Sequence, residues 1–329
     1  MANLNSAELS ATIKTLYERR LLARAVPRFL HGKWGEVARL SKFGTYEMRK
    51  FSSMTAVTTA ITEGTTPGES ASPTITTVTM TPSLYGAYIT YTDQLDFTQF
   101  DPIISEITGI EGEQAGLSMD TILRDALHAG ATVDYAGTAT ARNDVDTTND
   151  LLDYTAFIRA VADLENQNAM PSEGDMYVVI LSPFSWGSLM NDADFVDLFT
   201  RADPGAMRQG YVGNILNCKI YVTSNAKVYT AAGASSVNVH TALFIGKQSY
   251  ALAGFAGAPF DYGNGDSGGE MSNNTGRGVK PVEIIVKGLG ETGLDPLNQR
   301  GTIGWKASHT QAILNSSWIY SIENATIFD

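Results

Sequence analysis

The chain has 329 residues, with 35 acidic and 23 basic side chains, a formal net charge of −12, 43% hydrophobic residues and one cysteine. That apolar fraction supports a packed core and excludes wholesale disorder. A single cysteine excludes a disulfide scaffold and a multi-cysteine metal site, and the acidic balance argues against a general nucleic-acid binder.

The charge is unevenly spread. Residues 1–50 hold 10 Lys/Arg and 4 Asp/Glu, a balance of +6, which leaves 13 Lys/Arg and 31 Asp/Glu, or −18, for the rest. Residues 52–100 hold no Lys or Arg. A basic arm on an acidic body fits charge complementarity within one chain or between copies, and it fits ordinary variation along a surface equally well. The N-terminus lacks a basic stub followed by an apolar run, and no stretch reaches the ~18 consecutive apolar residues of a membrane span. The default compartment is a reducing cytoplasm, with Cys218 read as a small buried apolar residue.

The first segment reads as a helix capped by Ser6. Leu9, Ile13, Leu16, Tyr17 and Leu21 follow at helical spacing, Arg19, Arg20, Arg24 and Arg28 crowd its end, and Pro27 stops it. Residues 53–92 change character. "SSMTAVTTAIT" and "TITTVTMTPSLYGAYITYT" are rich in Thr, Val and aromatics, which suit extended chain, and the turn formers "EGTTPGESASP" lie between them. The pattern predicts a long two-stranded excursion with a flexible tip. Such a ribbon is marginal alone, so something outside this chain's core must hold it.

Asp101-Pro102 then opens a long helix, with Asp as cap and Pro in the first helical position. Ile103, Ile107, Ile110, Ile122, Leu123, Ala126 and Leu127 carry it to about His128, with Gly112 and Gly116 as weak points. At ~1.5 Å per residue it is about 40 Å long, enough to act as a strut. After a polar stretch at 138–150, Asp153 caps a helix carrying Phe157, Ile158, Val161 and Leu164. "MYVVIL" (176–181) reads as a buried strand, and Ser182-Pro183 starts a helix through Met190. "CKIYVT", "ALFIG" and "YALAGF" are further strands, followed by a Gly/Asn/Ser loop at 257–278. "VEIIVK" (282–287), "TIGW" (302–305) and "QAILNSSWIYSIE" (311–323) return to strands.

Motifs that promise chemistry lack their context. Gly265-Asp266-Ser267-Gly268-Gly269 matches the nucleophile string of trypsin-like proteases, yet none of His31, His128, His240 and His309 lies in that family's histidine context. Ser267 as the nucleophile of a serine hydrolase is kept only as a distant alternative to a glycine-rich loop. Gly288-x-Gly290-x-x-Gly293 follows a strand, but Pro296 and Gly301 follow it and no amphipathic helix does, so it reads as a turn between strands. The histidines show no metal spacing. Asp192, Asp194 and Asp197 surround Phe195, Val196, Leu198 and Phe199, the pattern of a solvated helix face. Lys14 with the four arginines lacks aromatics that would stack bases, which favours protein contact over nucleic acid. No catalytic residue, cofactor site or metal site is expected.

Four stretches carry a resemblance over nearly the whole chain: "YERRLLARAVPRFL", "ITEGTTPGES" joined to "TVTMTPSLYGAYITYTDQLDF", "VVILSPFSWGSLMND" and "DPLNQRGTIGWKASHTQAILNSSWIYSIE". In this order they resemble the major capsid protein of tailed bacteriophages, whose fold is shared with encapsulin shells. The resemblance implies an α+β fold. Residues 1–30 would be an N-terminal arm and 31–100 an extended β-hairpin loop with flanking strands. Residues 101–149 with 279–329 would be a peripheral domain with a spine helix, and 150–278 an axial α/β domain.

It further implies a non-catalytic virion subunit whose copies form the hexamers and pentamers of an icosahedral head around double-stranded DNA, bound without sequence specificity. Assembly in the bacterial cytoplasm would involve a portal, a scaffolding protein, since no long charged leader precedes the arm, and a decoration protein in some heads. An encapsulin-like compartment is the alternative. Lys14, Arg19, Arg20, Arg24 and Arg28 of the arm and Glu63 and Glu69 of the loop would make inter-subunit contacts. Some relatives join subunits covalently through a loop lysine. None lies in 52–100, so no such crosslink is expected there.

Overall fold

The computed structural model describes residues 30–39, 46–98 apart from 53, 65, 67, 70 and 71, 103–202, 214–254 apart from 216, 282–289, 297 and 299–328. The helix expected over 6–28, its cluster of basic residues, the Asp101-Pro102 cap, Ser267 and Gly290–Gly293 lie outside them. The described residues form a mixed α+β structure of two larger sheets and a two-stranded ribbon.

The seven-stranded sheet has the order β5 (Thr132–Tyr135), β14 (Ile319–Asn324), β10 (Val239–Ile245), β6 (Tyr177–Leu181), β8 (Cys218–Val222) and β7 (Asn214–Ile215), with β9 (Val228–Tyr229) on β10. Its central strands β6, β10 and β14 are buried at every position. This is why their sequences read as continuous apolar runs rather than alternations. One face packs on α3 (Tyr154–Asn166), α4 (Pro183–Leu189) and α5 (Ala193–Ala202), around Phe157, Leu164, Leu189, Phe195 and Phe244. Local signals set these helices. Asp153 accepts the amide of Ala156 at 2.7 Å, and Ser182 accepts that of Ser185 at 3.0 Å just before Pro183. Asp192 accepts the amide of Asp194 ahead of α5, so one of the three expected surface acids is a helix cap.

The other face meets α2 (Ile103–Gly130), the expected long helix, which passes Gly112 and Gly116 unbroken. Ala115, Met119, Leu123 and Leu127 repeat every four residues and form one buried stripe. They pack in one cluster with Val178, Ile180, Leu243 and Ile245 of the first sheet and Ile284, Trp305 and Ala307 of the second. The helix therefore lies in the core that joins both sheets.

The second sheet runs β1 (Glu36–Arg39), β11 (Tyr250–Gly254), β13 (Arg300–Ile313) and β12 (Val282–Lys287), with β4 (Ser83–Thr92) also on β13. A short helix α1 (Asp93–Thr98) follows β4. The ribbon pairs β2 (Tyr46–Phe51) with β3 (Ile75–Met80).

Three expectations are corrected. The ribbon's first strand is 46–51, and most of "SSMTAVTTAIT" is exposed and unpaired: β propensity without a neighbour to pack on does not make a strand. "TITTVTMTPSLYGAYITYT" divides at Pro82, so 75–80 enters the ribbon while 83–92 leaves it for β13. "TIGW" and the start of "QAIL" belong to one 14-residue strand, because β13 changes partner along its length, from β4 and β12 to β11, without breaking. Strands 132–135 and 319–324 join the seven-stranded sheet, and 250–254 joins the other, since pairing follows space rather than sequence.

Candidate interaction surface

The ribbon has a buried base and an exposed end. At the base Met80 is buried and packs with Tyr46, Met48, Ala251, Ala253, Ala312 and Leu314. At the far end Phe51 stands opposite Ile75, and both are more than half exposed. The connecting stretch adds Met54, Val57 and Ile61, with Val57 77% exposed. Glu63 and Glu69 are exposed beside them. Gly64, at φ +78°, makes a turn that a side chain would strain. Four large apolar side chains in a short stretch, joined by glutamates and no cation, form a surface that favours burial against a partner.

A second exposed apolar surface lies on the open face of β4, β13 and β12. The inward residues Tyr85, Ala87, Trp305, Ala307, Ile284 and Val286 pack toward α2. The outward set is Leu84, Tyr88, Ile285, Lys287 and Lys306 around Gly86 and Gly304, forming a groove. Tyr88 is 73% exposed. Gly304 pairs with Tyr88 on one side and Ile285 on the other, so the hollow is a register feature of three strands. Two lysines beside an apolar hollow suit a segment that is apolar and acidic.

The histidines do not converge. His31 bonds Asp120; His128 lies within 3.4 Å of Thr241 Oγ1 and 3.3 Å of Ser321 Oγ; His240 lies 3.0 Å from Ser182 Oγ. Ser182 is buried and takes the Ser185 amide as a cap, so this Ser–His pair is part of the packing. Burial holds His128 neutral, with its pKa pushed down to about 3, helped by the positive charges of Arg124 and Lys227. Burial pushes His309 down to about 4 and the Cys218 thiol up to about 12, consistent with a packing role for the cysteine. Among the described residues no three His, Cys, Asp or Glu side chains group to hold a metal.

Of the expected contact residues, Glu63 and Glu69 are on the exposed loop, while Lys14, Arg19, Arg20, Arg24 and Arg28 lie outside the described residues. Sequence reasoning missed the outward face of β4 and β12. A signal was present: "SLYGAYITYT" places apolar side chains at both parities, as in strands whose two faces are both covered.

No protein-family model matches the chain, and no curated protein matches its sequence. Solved structures do. A chain of the capsid of Ralstonia phage GP4 matches with TM-score 0.66 at 14% identity, covering 90% of this chain and 88% of that one. The cyanophage Pam1 capsid matches at 0.64 and 15%, covering 93% of each chain, and the capsid of cyanophage P-SCSP1u at 0.63 and 12%, covering 91% and 88%. The chain therefore has the fold of these phage capsid proteins.

Proposed function

We propose that the protein is the major capsid subunit of a tailed-phage head, a structural and non-catalytic protein that self-assembles through hexamers and pentamers into an icosahedral shell around double-stranded DNA. The observation that carries this reading is the ribbon with its connecting stretch, whose Phe51, Met54, Val57 and Ile61 are exposed, uncovered by the described residues. The capsid fold, matched over 90% and 93% of the chain, supports it.

In this reading the ribbon loop of one subunit lies over a neighbour, with Glu63 and Glu69 toward cationic side chains. The groove of Leu84, Tyr88, Ile285, Lys287 and Lys306 would receive it, two lysines beside an apolar hollow offering the opposite charge. The arm residues Lys14, Arg19, Arg20, Arg24 and Arg28 meet acidic neighbours. Residues 101–149 with 279–329 would form the peripheral lobe and 150–278 the axial lobe, stitched together by the strands that cross between them. A scaffolding protein, a portal and in some heads a decoration protein complete the partners. The virion is the final location, and the bacterial cytoplasm is the place of assembly.

Electron microscopy of the purified protein, with scaffold supplied, tests this. Shells, capsomers or sheets are expected, and a strict monomer at high concentration under assembly conditions would overturn the reading. Shells that carry a cargo protein and no DNA would instead identify an enzyme-loading compartment.

A further inference from the structure

The outer side of helix α2 carries a regular line of side chains. Glu106, Ile110, Glu113, Leu117 and Asp120 follow one another at intervals of four, three, four and three residues, so at about 100° per residue they share one narrow face. Ile110 is 55% and Leu117 45% exposed, while the stripe of Ala115, Met119, Leu123 and Leu127 on the other side is buried. The line ends on Asp120, where the N-terminal segment enters the body. The His31 amide donates to Asp120 Oδ1 at 2.7 Å, and the ring Nδ1 lies 2.9 Å from Oδ2. Leu30 packs in the core beside α2, and the Tyr250 hydroxyl donates to the His31 carbonyl, so the point of entry is fixed.

We propose that in the isolated subunit residues 6–28 of the same chain dock along this line, as a helix parallel to the N-terminal half of α2. The first argument is where the segment ends. A helix between Ser6 and Pro27 is about 30 Å long and arrives at Asp120, and α2 from Ile103 to Asp120 is about 26 Å long. Past Asp120 no large apolar side chain of α2 is exposed, so the exposed pair selects the N-terminal half. The second argument is matching chemistry. Leu9, Ile13, Leu16, Tyr17 and Leu21 form the segment's apolar stripe, and Arg20 and Arg24 fall within it, four and eight residues after Leu16. Arg24 precedes His31 by seven positions, as Glu113 precedes Asp120, and Leu21 precedes His31 by ten, as Ile110 precedes Asp120. Parallel helices of equal rise thus set cation against carboxylate and apolar against apolar. Extended residues at 27–30 would move the match by about one turn, bringing Arg24 toward Glu106. The tether at His31 makes the contact intramolecular, which favours it over the same surface on another copy at low concentration. A neighbour's acids then compete with α2 for the same arginines, so docking controls when the segment can reach outward. The inference goes beyond the shell reading and concerns the isolated chain, so either can fail without the other.

Hydrogen exchange on the full-length subunit, dilute enough to be monomeric by size-exclusion chromatography, tests it. Amides of 9–26 should exchange roughly tenfold more slowly than their intrinsic rates. Ile110→Asp should return them to those rates, and so should Arg20→Glu with Arg24→Glu. Adding Glu106→Arg and Glu113→Arg to the arginine reversals should restore protection severalfold, which a mere loss of helix in the segment would not allow. Exchange in β10 should stay unchanged throughout and checks the fold. Intrinsic exchange of 9–26 in the wild type overturns the proposal, as does protection that Ile110→Asp leaves intact. Protection that grows with protein concentration overturns it too, since the occupant would then be the segment of a second copy. Should Ile110→Asp disturb β10, the charge exchange decides alone.

Discussion

Gly304 faces Tyr88 across the β4–β13 pair, and a Cβ on the glycine would stand 2.7 Å from the Cβ of Tyr88 and 2.6 Å from the carbonyl oxygen of Ala87. Backbone cannot yield at that distance as a flexible side-chain tip can. Gly304→Val is expected to lower stability by about 1–3 kcal/mol through overpacking. Denaturant unfolding of the purified subunit measures it, and an unchanged midpoint would contradict the close approach.

Tyr88 itself is on the open face and contributes little to the monomer. Tyr88→Ala and Leu84→Ser should leave the melting temperature within a few degrees and reduce the yield of assembled particles severalfold. Val57→Asp on the ribbon stretch should act alike, since Val57 is also exposed. Size-exclusion chromatography with negative-stain counting separates the two readouts. A variant that melts early and assembles poorly would mean that the face belongs to the monomer's own core.

Two buried histidines make stability depend on pH. In the unfolded chain each binds a proton near pH 6.5; in the fold His128 does so only near 3 and His309 near 4. Between those values the unfolded state holds more protons, so stability is retained above pH 6.5 and declines as pH falls, by up to about 1.4 kcal/mol per pH unit for each group. Glu111 opposes this above its ordinary value, because burial raises its carboxyl. His128→Gln should flatten the slope between pH 6 and pH 4, measured by thermal melts across the range. An unaltered slope would show that His128 is not held neutral.

Arg142 binds Glu323 through two hydrogen bonds, Nε to Oε2 at 2.7 Å and Nη2 to Oε1 at 2.5 Å, and lies over the ring of Tyr229 at 3.6 Å. The Glu323 side chain is almost wholly buried. Arg142→Ala leaves that carboxylate unpaired and should cost about 3 kcal/mol, whereas the double variant Arg142→Ala, Glu323→Gln should recover part of the loss. A double-mutant cycle in urea checks this, and additivity of the two single changes would deny the coupling.

The arm prediction stands on sequence alone. Replacing Arg19, Arg20 and Arg24 with Glu should reduce assembly and leave the melt of the body unchanged, because rim charges steer and register association. Wild-type assembly yield in the triple variant would remove the arm from the interface.

What the sequence revealed was local. Asp153, Ser182 and Pro183 carry their own boundary signals, and the buried runs of β6 and β10 need no partner to be recognised. The rest depends on residues far apart in the chain. Nothing in "YEMRKF" marks it as the ribbon's first strand until Met80 of the opposite strand packs beneath Tyr46. His31 and Asp120 are 89 positions apart, so no spacing rule could join them. The groove on β4 escaped notice because its hollow arises from two glycines on different strands, Gly86 opposite Lys306 and Gly304 opposite Tyr88, which the register sets on one diagonal.

Residues 300–324 supply β13, which pairs with β4, β12 and β11, and then β14, which lies between β5 and β10. Each of the two larger sheets thus lacks an interior strand until this one stretch has been synthesised. Domains of most chains close one after another as they leave the ribosome. Here the order is different: a nascent chain that has reached residue 299 presents the ribbon but neither finished sheet. Both sheets are completed by the same stretch of chain.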